Sequence, residues 1–315
     1  MCIRDRYLGV QYPIFSGYIQ TWKYTPANGA DIAKMEIRAV DGFLLFNNAN
    51  VSSVSGATAG QLTGARIGKI LDALAWPAGM RDLDTGQTTC QADPGTTRTG
   101  LNALQTVEET ELGAFYMDYS GLATFKDRNS YVKAAATVPT VFTDDETAVA
   151  GITYQAVDFG LDDTLIQNAV TVTPSGLAAQ YWEDATSIST YFKHSVLRTD
   201  LLMQTTTDAM NQAKAIVSAR AYDELRVDSI TLDISQNAPA ARTIAALDLD
   251  FLSNIRVVRT APGGLIDKTL LIHGLSMDIS ANRWTVTFQT VEPVITGFVL
   301  GSTMSGILGT SVFSY

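Results

Sequence analysis

The chain has 315 residues, 46% of them apolar and only 17% charged, with a net charge of −10 and a pI near 4.6. The length accommodates two or three modest domains with real cores. The acidity removes the counterion-release drive toward nucleic acid. DNA or RNA recognition is therefore excluded as the main role, and Arg66 with Lys69 is too sparse to make a basic patch.

In chain order, the first six residues, MCIRDR, read as a translated cloning or assembly scar and are set aside from fold reasoning. Residues 7–60 then form a truncated N-terminal β domain. Tyr12 to Tyr24 alternates apolar and polar residues, predicting a strand with Pro13 at its start and Gly17 as a bulge. Ile32 to Val40 alternates again and completes an antiparallel pair. Asp41 is placed to N-cap a short helix through Phe46. Residues 47–63 form a loop and a candidate boundary.

Residues 61–135 read as a helical insert plus a hairpin. Ile67, Ile70, Leu71 and Leu74 share one helix face within Gly64 to Trp76, and Pro77 ends that helix. Asp82 to Pro94 is turn-rich. Leu101, Leu104 and Val107 mark a second helix through Leu112. Ala114 to Asp118 and Leu122 to Lys126 flank a turn at Tyr119, Ser120 and Gly121.

Residues 136–296 read as one α+β domain. It opens on a polar linker, Thr137 to Gly151. Ile152 to Phe159 and Ile166 to Thr173 are strand-like. Asp208 to Asp223 is the longest helix, with Met210, Ala213, Val217 and Ala221 on its buried side. Val227 to Ile234 and Leu247 to Val258 alternate as strands, the latter with Asp248 and Asp250 on its polar side. Thr269 to His273 and Trp284 to Val291 make a late hairpin. Residues 297–315 carry no charge but are rich in Ser, Thr and Gly without flanking cations, which reads as a segment docked on a neighbour rather than a membrane span. No period of 20 to 50 residues runs through the chain.

Little in the sequence points to catalysis. The two cysteines, Cys2 and Cys90, support neither a disulfide framework nor zinc spacing, and Cys90 reads as an unpaired thiol in a turn. His194 and His273 are the available neutral-pH acid–base groups; His194 reads as solvated and His273 as structural. Carboxylate groupings that a wall-cutting glycosidase could use are Asp144 with Asp145, Asp162 with Asp163, and Glu108 and Glu109 with Glu111. All three read as solvated turns or an exposed helix face. Asp82 and Asp84 near Gly86 lack the rest of a calcium loop. Trp22, Trp76, Trp182 and Trp284 each sit in an apolar pattern and read as core or interface, although exposed together they could stack on sugars.

Several segments resemble minor tail proteins of long-tailed bacteriophages, of the kind that forms the hub or distal end of the tail. The resemblance runs from about Phe15 to the end. RIGKILDALAWPAGMRDLDTGQT (66–88) followed by ELGAFYMDYSGLATFKDR (111–128) is its most specific part. FSGYIQTW, LIQNAVTVTPSG with DATSISTYF, LIHGLSMDISANRWTVTF and the closing GFVLGSTMSGILGTSVFSY add to it. The chain departs from the pattern in its short N-terminal end and at Phe192–Lys193, where glycine is expected after Tyr191. The resemblance implies an α+β, strand-dominated fold with barrel-like β domains of tail-hub type and a central helical insert. It implies a homo-oligomer, taken as a trimer, forming a ring at the tail tip of the virion after assembly in the bacterial host cytoplasm. Such a ring anchors fibres, contacts tape measure, distal tail and fibre proteins, and lets DNA pass without specific binding. No enzyme activity, catalytic residue, cofactor, metal or stable membrane insertion is expected. The alternatives are a receptor- or carbohydrate-binding tail adhesin, which clustered exposed Trp and Tyr would favour, and a peptidoglycan hydrolase, which needs two carboxylates across a cleft.

Overall fold

The structure, a computed structural model, describes residues 1–29, 32–145, 151–161, 163–235, 238–260 and 265–292. The segment expected to dock on a neighbour (297–315) and Asp162 lie outside the described residues. The chain divides into two compact units. Unit 1 is Met1–Arg128 with two later returns, Pro174–Leu177 and Asp200–Thr205; unit 2 is Asn129–Thr173, Ala178–Thr199 and Thr206–Tyr315.

Unit 1 begins with two separate antiparallel ribbons: β1 (Cys2–Tyr7) with β2 (Val10–Ser16), and β3 (Tyr18–Thr25) with β4 (Lys34–Val40). The single strand expected over Tyr12 to Tyr24 is thus two strands. Gly17 is their joint, because a Cβ there would lie 2.3 Å from the Val40 carbonyl oxygen. The six residues set aside at the start supply most of β1 and pair across to β2.

Asp41 then caps α1 (Gly42–Asn48), accepting from Phe43 N at 3.0 Å. Next come β5 (Asn50–Val51), β6 (Gln61–Leu62), α2 (Thr63–Ala73), a 3-10 turn at Ala78–Met80, β7 (Arg81–Leu83), β8 (Thr89–Cys90), β9 (Arg98–Thr99), α3 (Gly100–Glu111), β10 (Ala114–Met117) and β11 (Ala123–Lys126). The apolar stripes of α2 and α3 meet over the β10–β11 hairpin, burying Ile67, Ile70, Leu71, Leu104, Val107 and Phe125 in one core. Trp76 closes it, edge-on to Phe46 at 4.9 Å with its indole N–H given to the Met80 carbonyl. The turn-rich reading of 82–94 misses that β7 pairs in parallel with β11. Cys90 lies in a strand, not a turn, and is fully buried.

Unit 2 holds α4 (Arg128–Ala135, starting at the boundary), β12 (Thr140–Thr143), β13 (Ile152–Thr153), β14 (Ala156–Gly160), β15 (Ala169–Pro174), β16 (Gln180–Glu183), α5 (Ala185–Tyr191), β17 (Ser195–Leu201), α6 (Thr206–Arg220), β18 (Arg226–Asp233), α7 (Ala240–Asp248), β19 (Asn254–Arg259), β20 (Ile266–Ile279) and β21 (Trp284–Val291). Seven strands form one sheet, ordered β13-β12-β19-β20-β21-β18-β14, that curls into a half-barrel. Period-2 alternation puts Ile230, Leu232, Ile255, Val257, Val286 and Phe288 on its buried face. Cross-strand pairs Ile230–Phe288, Leu232–Val286 and Ile255–Leu270 fix the register. Ala245, Ala246 and Leu249 cover that face from α7 and its end. A second sheet is ordered β16-β15-β17.

Two expectations are corrected here. The polar stretch at 137–151 is no plain linker, because Thr140–Thr143 pairs in parallel with both β13 and β19. Leu247 to Val258 is not one strand: Pro239 opens a helix that runs to Asp248, and the strand begins only at Asn254. A short apolar run carries too few residues to separate the two periods. Asp248 therefore ends a helix, and Asp250 sits in the following turn.

Candidate assembly surfaces

The β3–β4 ribbon is exposed along its length. Beyond the irregularity between Ile19 and Thr21, Trp22 faces Ile37 and Tyr24 faces Met35, while Lys23 faces Glu36, Thr21 faces Arg38 and Thr25 faces Lys34. Directly opposed residues share a face, so one side of the ribbon is apolar and the other charged. The apolar side is bare: Trp22 is 60% exposed, Tyr24 62%, Met35 56% and Ile37 42%. An isolated two-stranded ribbon is marginal in water, and this one presents its apolar face to solvent. At its base, Tyr18 packs edge-on against Trp76 at 6.2 Å.

The segments with the most specific resemblance build a buried carboxylate latch inside unit 1. Glu111, at the end of α3, is fully buried. It accepts from Thr63 Oγ1 at 2.7 Å, from Thr88 N at 2.9 Å and from Gln87 N at 3.1 Å, with Arg128 Nε at 3.8 Å. The same loop satisfies the first turn of α2, whose Thr63 and Gly64 N–H groups donate to the Thr88 and Thr85 carbonyls. The approach is close enough that a Cβ on Gly64 would lie 1.8 Å from Asp84 O, and one on Gly86 1.9 Å from Thr63 Oγ1. Nearby, the fully buried Arg66 guanidinium gives Nη2 to the Thr58 and Gln91 carbonyls and Nε to Gln61 Oε1. Burial holds its pKa below the usual value.

Among the described residues the carboxylate groupings do not converge. Glu111 is in the latch, which corrects the reading of an exposed acidic face on α3. Glu108 turns to accept from Phe115 N at 2.9 Å, and burial pushes its carboxyl up to about 7. Asp144 accepts from Thr260 N and Oγ1 at 2.9–3.1 Å. Asp82 and Asp84 share the Lys126 ammonium, at 2.8 and 3.5 Å. His194 Nε2 lies 3.0 Å from the Tyr191 carbonyl oxygen, and His273 rests on the Phe251 ring at 5.5 Å. Among the described residues no three His, Cys, Asp or Glu side chains gather as a metal site.

One carboxyl pair went unseen in the sequence. Glu224 and Glu292 are 68 positions apart in number and share a hydrogen bond, which pushes Glu224 up to about 7. Lys268 Nζ lies 2.7 Å from Glu292 Oε1 and 3.9 Å from Glu224 Oε2. A hydrogen-bonded pair leaves no gap for a glycosidic bond, which needs roughly 5–10 Å between carboxyls.

At the end of α5 the chain does something expensive. Phe192 holds φ 64° and ψ −179°, a region that glycine enters freely and other residues enter at a cost of ~1–3 kcal/mol. This is the position where the phage resemblance leads one to expect glycine. The fully buried Asn168 clamps it: Nδ2 donates to the Phe192 carbonyl at 2.7 Å and to Ser187 Oγ at 3.0 Å, and Oδ1 accepts from His194 N at 2.8 Å. The Phe192 side chain is nonetheless 85% exposed. Tyr181 and Trp182, also exposed, carry Lys193 and Lys214 over their rings at 5.1 and 4.7 Å.

No protein-family model matches the chain, and no curated protein matches it. Solved structures do. The tail protein from Neisseria meningitidis MC58 superposes with a TM-score of 0.59 at 11% identity, over 91% of this chain and 82% of that one. The 43 kDa tail protein of prophage MuSo2 from Shewanella oneidensis gives 0.55 at 14% identity, over 91% and 79%. The chain is thus an α+β, strand-dominated protein, and its fold is that of phage tail proteins.

Proposed function

We propose that this protein is a structural component of a bacteriophage tail, a minor tail protein of long-tailed phages that works at the tip or hub. Its task is assembly: copies pack into a ring, taken as a trimer, that anchors fibres, meets the tape measure and distal tail proteins, and lets DNA pass into the host. The role is non-enzymatic. The observation that carries the reading is the shared fold, which spans nine-tenths of this chain and about four-fifths of each tail protein. The bare apolar ribbon supports it, since monomeric proteins seldom leave such a face uncovered. The acidic balance fits a conduit wall that does not hold phosphate. Deleting the gene from the phage that carries it should leave heads without complete, infectious tails under electron microscopy. Normal particles that infect normally would overturn the proposal.

A further inference from the structure

We infer that Arg198 and Arg220 form an oxyanion site in unit 2, a pair of guanidiniums that takes a phosphate or carboxylate group. Arg198 lies midway along β17, and Arg220 ends α6. Both are half-buried, and among the described residues neither side chain makes a hydrogen bond or an ion pair. Other arginines show the contrast. Arg66, Arg81 and Arg242 each bury one guanidinium nitrogen that finds no acceptor, as Arg198 does with Nε. Those three commit their remaining nitrogens to protein oxygens: Arg66 to the Thr58 and Gln91 carbonyls, Arg81 to Gly68 O and Asp72, Arg242 to Asp233 O and Thr153. Arg198 makes no such bond, so its whole fork of donors is uncommitted.

The charges around Arg220 have one sign. Burial holds its pKa below the usual value, and the Arg198 and Arg226 guanidiniums push the same way. Arg226 opens β18 and is already engaged with Asp228 at 3.3 Å. Three elements thus bring guanidiniums together, two of them unmatched, in a chain whose 32 Asp and Glu outnumber its cations. Scarcity of carboxylates does not explain the arrangement. Packing does not explain it either, since an aliphatic side chain would fill the same space without repulsion. A desolvated cation costs free energy unless it is paired, and a like charge beside it adds to that cost. An oxyanion removes both costs. Each guanidinium offers parallel N–H donors in one plane, matched to two oxygens of a carboxylate or phosphate, and such charge-assisted bonds are about twice as strong as neutral ones.

The test follows thermal unfolding of the whole chain in sodium phosphate, sodium acetate and sodium chloride at equal ionic strength and neutral pH, with calorimetric titration alongside. Wild type should gain about 2 °C or more over chloride when phosphate or acetate saturates the site, and titrate as a single site per chain. A gain in phosphate alone identifies a phosphate site, and a gain in acetate alone a carboxylate site; either supports the pair. Arg198→Gln and Arg220→Gln should each lose most of the gain, because one guanidinium remains. Lys34→Gln, on β4 of unit 1, removes the same charge and should keep the full gain. Arg198→Lys retains the charge and the stem without the planar fork, so it should fold and bind more weakly than wild type. No gain in either anion, a full gain in both Gln variants, a Lys34→Gln variant that loses as much as they do, or wild-type affinity in Arg198→Lys would each overturn the site. Its failure alongside defective tails in the gene deletion would leave the tail role standing.

Discussion

Glu111 holds four groups from three segments, and nothing in its neighbours announces this. In sequence it is one of three acids at a helix end, and helical acids are ordinarily solvated. What buries it is the 85–88 loop, some twenty-five positions upstream, so the signal was Gly86 in that loop and not the acid. Glu111→Ala leaves buried N–H and O–H donors unanswered and should cost about 3 kcal/mol or more in a urea titration. Glu108 gives a prediction in pH. Its folded pKa of about 7 lies above its ordinary 4.5, so the native state holds a proton that the unfolded state releases between those values. This contribution is fully present below about pH 4.5 and is lost as pH rises through 7, by at most ~3 kcal/mol. Glu224 acts in the same direction over the same window, through its hydrogen bond to Glu292. Urea midpoints should therefore be higher at pH 5 than at pH 7.5. Glu108→Gln, which keeps the acceptor for Phe115 N–H without the charge, should narrow that difference.

Elements with long, regular patterns were legible. The α2 and α3 stripes, the β10–β11 hairpin, the β20–β21 hairpin and the existence of α6 follow from period and turn chemistry, as does the Asp41 cap; but α2 ends at Ala73, short of Pro77, and α6 runs Thr206–Arg220 with Met210 only half-buried. Elements defined by distant partners were not. Thr140–Thr143 has too little apolar content to read as a strand until β13 and β19 flank it. Helix α5, mostly Ser and Thr, depends on Asp184 accepting from Ser187 N at 2.9 Å and on the buried Asn168 beneath it. Caps give a modest prediction: Thr99→Ala removes the acceptor for Asn102 N at the start of α3 and should lower stability by about 1 kcal/mol. Gly64→Ala drives a methyl into the Asp84 carbonyl and should cost more than the cap, which thermal melts of the two variants side by side would show.

At the scale of the molecule, unit 1 is not a contiguous stretch. Asp200–Thr205 returns to it after more than seventy residues in and out of unit 2. Leu202 enters its core, gives its N–H to Thr110 Oγ1 at 2.9 Å and accepts from Gln91 N at 2.7 Å, while Gln204 N donates to the Thr89 carbonyl. A fragment ending at Arg128 lacks this strip. It should melt without the cooperativity of the whole chain in calorimetry, and a sharp transition for the fragment would contradict the division. The sequence placed a boundary near 135 but gave no hint of the return, because a short apolar segment looks the same whichever unit it completes.

The two thiols now acquire a use. Cys2 stands exposed on the first ribbon, whereas Cys90 is sealed in unit 1 and burial raises its pKa to about 11. A maleimide dye at neutral pH should mark the ribbon end within minutes and reach Cys90 only as fast as unit 1 opens. One reagent thus reads a clock for local unfolding.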